Sequence, residues 1–473
     1  MYGNFSSLCP SIAPIFIIVS FIEASLHRSA SSLRATPVMH DAKFNSWSFP
    51  SDCSARNIST MSKLPGDSKP LHLQFEYYFS GDILILQSLG LYSMGNIFNR
   101  VEANFYFWET IPFIFGVGGL FFGLMSDFRS VFIETRKHSL YAIEVLAAAL
   151  CCSLGIYKGY RLWIYRHEFY HFIKAFHLRW NEEISHNAIT DEMVEHAKSM
   201  RRFRIWYGTV VAAIFTAYVL RPCLVYLRFK LSGTNDTFDY SQTAYPAEYP
   251  FTLSTPRSYF CCITLEAIGI YFLILYWTAA DGLFGQLTTQ LAIHFQILAN
   301  RMRDIPTNEK EDLQHTKIVV ERLKKTVQDY LKLFEYVTEL ERIYNPILFG
   351  TVLVNGLNLC TCLYSMQYRM SNNEWGLAGK NALLTTGITA QTMMFCVCAQ
   401  RLNDEVAGVR QAAYNCSWTE FNSTIKNMIL LIMIQTEPDY IYTAYGFIYL
   451  NIPQLTVIFT AAMRFFTLLR NMT

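Results

Sequence analysis

Runs of about 20 apolar residues recur along this chain, and their recurrence decides what it can fold into. They fall at roughly 105–126 (FYFWETIPFIFGVGGLFFGLMS), 138–157, 205–227, 259–280, 346–366, 381–399 and 442–469. Each is long enough for an α-helix to cross a hydrocarbon core of ~30 Å. Inside that core every backbone amide must be satisfied within protein, which leaves helices or closed barrels. The pattern predicts an all-α membrane protein with seven transmembrane helices. A mean hydropathy of only +0.19 places much of the mass in long segments outside the bilayer.

Charge sorts by loop. Between the second and third runs lie Arg166, Lys174, Arg179, Lys198, Arg201, Arg202 and Arg204. Nine basic residues, from Arg301 to Arg342, separate the fourth from the fifth, and Arg401, Arg410 and Lys426 separate the sixth from the seventh. The alternate loops hold only Arg129, Arg136 and Lys137, then Arg228, Lys230 and Arg257, then Arg369 and Lys380. The positive-inside rule makes the rich loops cytosolic, so the amino terminus lies in the cytosol and the carboxyl terminus outside. A net charge of +2 carries no sign of nucleic-acid binding.

On this layout residues 1–75 are a leader and cytosolic N-terminal segment, and 76–300 carry spans one to four. Residues 301–345 form a cytosolic anchor helix, 346–399 spans five and six, 400–440 a second cytosolic anchor helix, and 441–473 the last span. Residues 9–26 are apolar but short and broken by Pro10 and Pro14; Met61 is a second candidate start, and no role is assigned to this region. Residues 82–97 are too short to cross and read as a re-entrant or interfacial helix. Asn235-Asp236-Thr237 is a glycosylation acceptor in an outside loop, and the prolines and aromatics of 240–258 suggest a folded lid. Within 311–345, Val320, Leu323, Val327, Tyr330, Phe334, Val337, Leu340 and Tyr344 form one apolar stripe that continues span five into the cytosol. A second helix, 421–435, precedes Pro438. Such helices need partners, within the subunit or across a subunit interface, and both remain open.

No nucleophile elbow, phosphate loop or metal-ligand spacing is present, so nothing calls for catalysis, a cofactor or a metal. Nine of the 12 cysteines fall in or beside spans, where they pack as small apolar residues. Charges within spans are costly. Glu144, Arg221 and Glu266 all fall in the outer third and could form a cluster. The outer halves of spans two, three, four and six carry Tyr141, Ala148, Ile214, Phe215, Tyr218, Thr264, Ile268, Tyr271, Thr385, Thr386 and Gly387, a set suited to a small lipophilic or volatile ligand. The last span has a polar face of Tyr442, Thr443, Asn451, Gln454, Thr456, Thr460, Arg464 and Thr467. Leu468 and Leu469 near its end could form an apolar ring around an axis. Pore lining and helix–helix hydrogen bonding explain that face equally well.

Residues 410–469 resemble the carboxyl-terminal signature of insect odorant receptors. The likeness rests on Tyr414 and Trp418 ahead of a cytosolic helix, Pro438 at its end, Gly446, Leu450, the Phe465-Phe466 pair and Leu468. It implies a tetrameric, odorant-gated, non-selective cation channel. The last span then lines the pore through Gln454, Thr460, Arg464, Thr467, Leu468 and Arg470, and the cytosolic helices hold the subunits together. The odorant pocket lies in the outer membrane among spans two, three, four and six. Membership would make this chain the ligand-selective subunit of a heterotetramer with olfactory co-receptor subunits in the plasma membrane, because span six reads TTGITAQTMMF and the second intracellular loop is compact. Arg470 departs from the usual neutral residue.

A seven-helix G-protein-coupled receptor for a small lipophilic ligand is the alternative, but it predicts the amino terminus outside. A secondary transporter would show internal repeats. A gustatory receptor of the same superfamily would carry Thr-Tyr and Gln-Phe pairs in its last span, and neither occurs there.

Overall fold

A computed structural model describes residues 73–98, 107–134, 139–232, 238–240, 243–244, 253–305, 313–436 and 440–472. The leader at 9–26, Met61, the Asn235-Asp236-Thr237 acceptor and Pro438 lie outside the described residues, as do the side chains of Tyr141 and Glu144. In chain order the helices are α1 (Phe75–Ser88), α2 (Thr110–Glu134), α3 (Ser139–Ile164), α4 (Arg166–Ser185) and α5 (Asp191–Ser232). There follow α6 (Pro256–Arg303), α7 (Leu313–Ser371), α8 (Trp375–Asn415), α9 (Ser423–Gln435) and α10 (Ile452–Met472). Short 3-10 turns stand at Tyr92–Asn96, Phe107–Glu109 and Trp418–Glu420. The only strands among the described residues, β1 (Thr443–Ala444) and β2 (Ile448–Tyr449), form one antiparallel hairpin.

Among the described residues, six helices (α2, α3, α5, α6, α7 and α8) are long and apolar enough to cross a membrane, and α9 and α10 are shorter apolar helices. At ~1.5 Å per residue, the 21 residues of α10 reach about the thickness of the hydrocarbon core, whereas the 13 of α9 fall short. The chain is a multi-pass membrane protein.

Local chemistry sets the boundaries. Thr255 and Ser258 close a capping box ahead of Pro256, which starts α6. The Asn422 side chain accepts the Ile425 amide at 3.1 Å to start α9, and Asn451 accepts the Gln454 amide at 2.9 Å to start α10. The seventh apolar run is therefore shorter than its hydropathy suggests. Residues 442–450 are the hairpin, turning at Tyr445 (φ 55°) and Gly446 (φ 69°), with the Phe447 amide donating to the Ala444 carbonyl. Positive φ at two successive positions is the geometry glycine accommodates best. Tyr442 and Thr443 consequently belong to the hairpin and not to the polar face of the last helix.

α6 is the central element. It packs on α8, α5, α2, α3, α7 and α1, and Leu283, Phe284, Leu287, Ile293 and Phe295 are fully buried. Its close approach to α2 depends on Gly119 and Gly269, which face each other backbone to backbone: a side-chain carbon on Gly269 would stand 3.3 Å from the Gly119 carbonyl oxygen. The half of α6 beyond Asp281 extends well past the ~30 Å core. There it meets α4, an amphipathic helix hidden in the first basic loop, whose Phe169, Phe172, Ile173, Phe176 and Trp180 are buried. Arg301 bonds Glu183 at 2.5 Å and Asp329 at 3.5 Å, and Arg179 bonds Asp329 at 3.0 Å, tying α4, α6 and α7 together.

His294 sits in this layer, 2% exposed and stacked on Phe176 at 5.7 Å. Burial first, then the nearby Arg179 and Arg301, lower its pKa from 6.5 to about 3. The unfolded chain therefore takes up the proton first, and stability present at neutral pH is drawn down as pH falls below 6.5 towards 3. The loss approaches ~1.4 kcal/mol per pH unit from this group. Melting of the detergent-purified protein between neutral and mildly acid pH should show that slope, and His294→Phe, which keeps the stack, should reduce it. An unchanged slope in the variant would assign the pH dependence elsewhere.

Candidate ligand pocket and its supporting network

Small side chains open a cavity among five helices. On α3, Ala147, Ala148, Cys151 and Cys152 share one face and leave space that larger residues would fill. α5 contributes Ile214, Phe215, Tyr218 and Arg221; α6 contributes Ile270 and Leu273; α8 contributes Leu377, Lys380, Asn381 and Leu384. The remaining wall belongs to α7, whose Asn358, Thr361, Cys362, Ser365 and Arg369 follow one another at helical spacing. The cavity measures about 230 Å³. At its mouth the Lys380 ammonium stands 4.7 Å over the Tyr218 ring, and Arg369 pairs with Glu374 at 2.7 Å.

Of the residues singled out from sequence, Ala148, Ile214, Phe215 and Tyr218 line this cavity. Gly387 is buried behind it, where an added side chain would meet Ile214. Ile268 is half-buried against the core. Thr264 and Tyr271 are exposed on the outer side of α6, and the Thr264 hydroxyl donates to the Phe260 carbonyl. Thr385 and Thr386 donate back to the Asn381 and Ala382 carbonyls, which is how hydroxyls are satisfied inside a helix. Glu266 is buried and accepts the Ala244 amide at 2.9 Å, while Arg221 is exposed at the cavity. Span five was left out of the sequence-based pocket, although its polar stripe in an otherwise apolar run was a visible signal.

Deeper along these helices, by about two turns on α3, α5, α6 and α8 and by less than one on α7, lies a fully buried polar layer. The Lys158 ammonium bonds the Asp281 carboxylate at 2.7 Å, both side chains at 0% exposure. Tyr207 and Gln391 donate to the other carboxylate oxygen at 2.8 and 2.6 Å. Asn355 donates to Gln391 at 2.9 Å and to Thr392 at 3.0 Å, and Lys158 lies 4.2 Å over the Trp277 ring. One carboxylate therefore connects α3, α5, α6 and α8, and through Gln391 also α7.

α7 links this region to α10. Leu359 and Cys360 of α7 pack on Ala462 and Phe465 of α10. Outside the membrane-spanning part of α7, Glu341 accepts from Thr443 at 2.9 Å and Tyr440 at 3.1 Å, fastening the hairpin that leads into α10. Burial raises the Glu341 carboxyl above its ordinary value, against the lowering effect of those two hydrogen bonds. Within α10 the exposed residues Pro453, Thr456, Val457, Thr460, Met463, Arg464, Thr467 and Leu468 form a continuous stripe. Thr460 and Thr467 run down its middle, and Arg464 stands beside them. Gln454 is half-buried and turned toward the body of the subunit, and Arg470 sits at the stripe's edge beside Gln367, Trp375 and Phe466.

Residues 140–463 match the family model described as the seven-transmembrane odorant receptor. Odorant receptor 47a of Drosophila melanogaster is 22% identical over 346 residues, covering 72% of this chain and 86% of that protein. Odorant receptor 13a of the same species is 21% identical over 324 residues, 63% of this chain and 76% of that protein. The insect olfactory receptor OR5 from Machilis hrabei superposes with a TM-score of 0.66 at 12% identity, over 85% of this chain and all of that one. The same receptor in complex with eugenol superposes at 0.62.

Proposed function

Because this chain belongs to the insect odorant receptor family, we propose that it is the odorant-binding, ligand-selective subunit of a cation channel opened by a small volatile molecule. The observation that carries this reading is the largely apolar cavity among α3, α5, α6, α7 and α8, whose α7 wall packs directly on α10. Ligands of this kind bind where apolar walls enclose most of their surface and a few polar groups orient them. The open stripe of α10 supports a pore-lining role, since hydroxyls and an arginine facing lipid would be costly. Thr460, Arg464 and Thr467 are the residues placed to line such a pore, with Leu468 at its margin. The exposed apolar side chains of α9, Leu430, Leu431 and Ile434, support a contact between subunits.

Arg464 bears on stoichiometry. Four copies around one axis would set a ring of positive charge against permeating cations. A channel in which co-receptor subunits outnumber this chain avoids that barrier. Family membership leaves the G-protein-coupled alternative without support. Expression with and without an insect olfactory co-receptor, under volatile screening, tests the proposal. The expected result is a volatile-evoked cation current that needs the co-receptor and survives block of G-protein signalling. A response that vanishes with that block, or an equal current from this chain alone, would overturn it.

A further inference from the structure

Among the described residues, two side-chain oxygens in the pocket wall have no hydrogen-bond partner in the protein. Asn358 is 1% exposed and its Oδ1 is unpartnered; Ser365 is 2% exposed and its Oγ is unpartnered. Both line the cavity and both stand on α7. Buried polar atoms in folded proteins are nearly always satisfied, by protein, water or ligand. An unsatisfied pair facing one cavity marks what should enter it.

The two are not equivalent. Ser365 lies near the mouth, with Arg369 and Lys380. Asn358 lies about two turns deeper at the inner end, where Leu273 and Cys152 make the surroundings apolar. The Asn358 Nδ2 donates to the Cys151 Sγ at 2.9 Å, which leaves the oxygen as the unpartnered atom beside the cavity. An acceptor there calls for a donor. Were the amide reversed, its nitrogen would face the cavity and call for an acceptor. A hydroxyl supplies both. Hydrocarbons supply neither; ethers, esters and ketones only accept, and a carboxylate would be repelled by the Asn358 oxygen.

We propose that the pocket selects alcohols or phenols, with the ligand hydroxyl on Asn358 and its apolar body toward Ile214, Leu273 and Leu384. The inference rests on the cavity being the odorant site. A free-standing water can occupy the same position before the ligand arrives, and only a ligand that reproduces its hydrogen bond displaces it without loss. A cavity of about 230 Å³ keeps the ligands small.

The test uses the full-length chain with a co-receptor and compares short alkanols and benzyl alcohol with their methyl ethers. Wild type should respond to the preferred alcohol at concentrations on the order of 10–100-fold lower than to its ether. Asn358→Leu, of similar volume, should lose that preference by weakening the alcohol response while sparing the ether. Thr264→Ala, on the face of α6 away from the cavity, should keep it, and a retained ether response shows that the variants fold and reach the surface. Equal potency of alcohol and ether in wild type, or a preference that survives Asn358→Leu, overturns the inference. Current from esters or amines with none from any alcohol overturns it too, while leaving the odorant-channel reading in place. Absence of current from every volatile class removes both.

Discussion

Asp281→Leu is expected to cost about 3–5 kcal/mol of stability, enough to remove most folded receptor from the cell surface. The substitution leaves the Lys158 ammonium buried without its carboxylate, and strips the Tyr207 and Gln391 donors of their acceptor. Lys158→Met should cost less, since those two donors still reach the Asp281 carboxylate. The double variant is the informative one. Replacing a buried pair by apolar residues of similar volume is far milder than removing one partner, so Lys158→Met with Asp281→Leu should be more stable than Asp281→Leu alone. Melting temperature of the purified protein, with surface abundance as a second readout, checks the order. A double variant as damaged as the sum of the singles would show that the carboxylate matters for reasons other than the ammonium.

Ala148→Phe should abolish the odorant response while leaving the protein folded. Ala148 borders the cavity of about 230 Å³, and an aromatic ring there would take the volume a ligand needs. The expected shift in half-maximal concentration is at least about 100-fold, equivalent to ~2.8 kcal/mol of lost binding. Thr264→Phe is the control. Its position was a candidate on sequence grounds, but the structure faces it away from the cavity, so the response should be unchanged. A large loss at Thr264 and none at Ala148 would place the ligand elsewhere.

The crossing segments were legible because lipid demands long unbroken apolar runs, and the third to sixth runs lie wholly inside α5, α6, α7 and α8, while the first two overlap most of α2 and α3. In the last run hydropathy passed straight through Tyr442–Leu450, whose aromatic and branched residues suit a strand as well as a span; the Tyr445-Gly446 turn is what distinguishes them. The central charge pair is invisible to hydropathy. The apolar windows ended at 157 and 280, one residue before Lys158 and Asp281, because the charges themselves closed the windows. Both helices continue, to Ile164 and Arg303, and the pair lies buried between them. Asn358 and Ser365 were readable as polar residues in a span, but which helix they face depends on packing that one sequence does not display. α4 was overlooked because its charges dominated the account of its loop, although Phe169, Phe172, Ile173 and Phe176 repeat at helical spacing.

The unbroken course of α7 from Leu313 to Ser371 makes chain length, more than residue identity, the quantity that must be kept between Glu341 and Asn358. A rigid helix turns by about 100° for each residue added or removed. Deleting a single position in that interval would leave Glu341 bonded to the hairpin while swinging Asn358 and Ser365 out of the cavity wall. Substitutions there change one contact at a time; a one-residue deletion or insertion changes the phase of every contact beyond it. Among related chains this interval should accumulate replacements at its half-buried positions and gaps hardly at all.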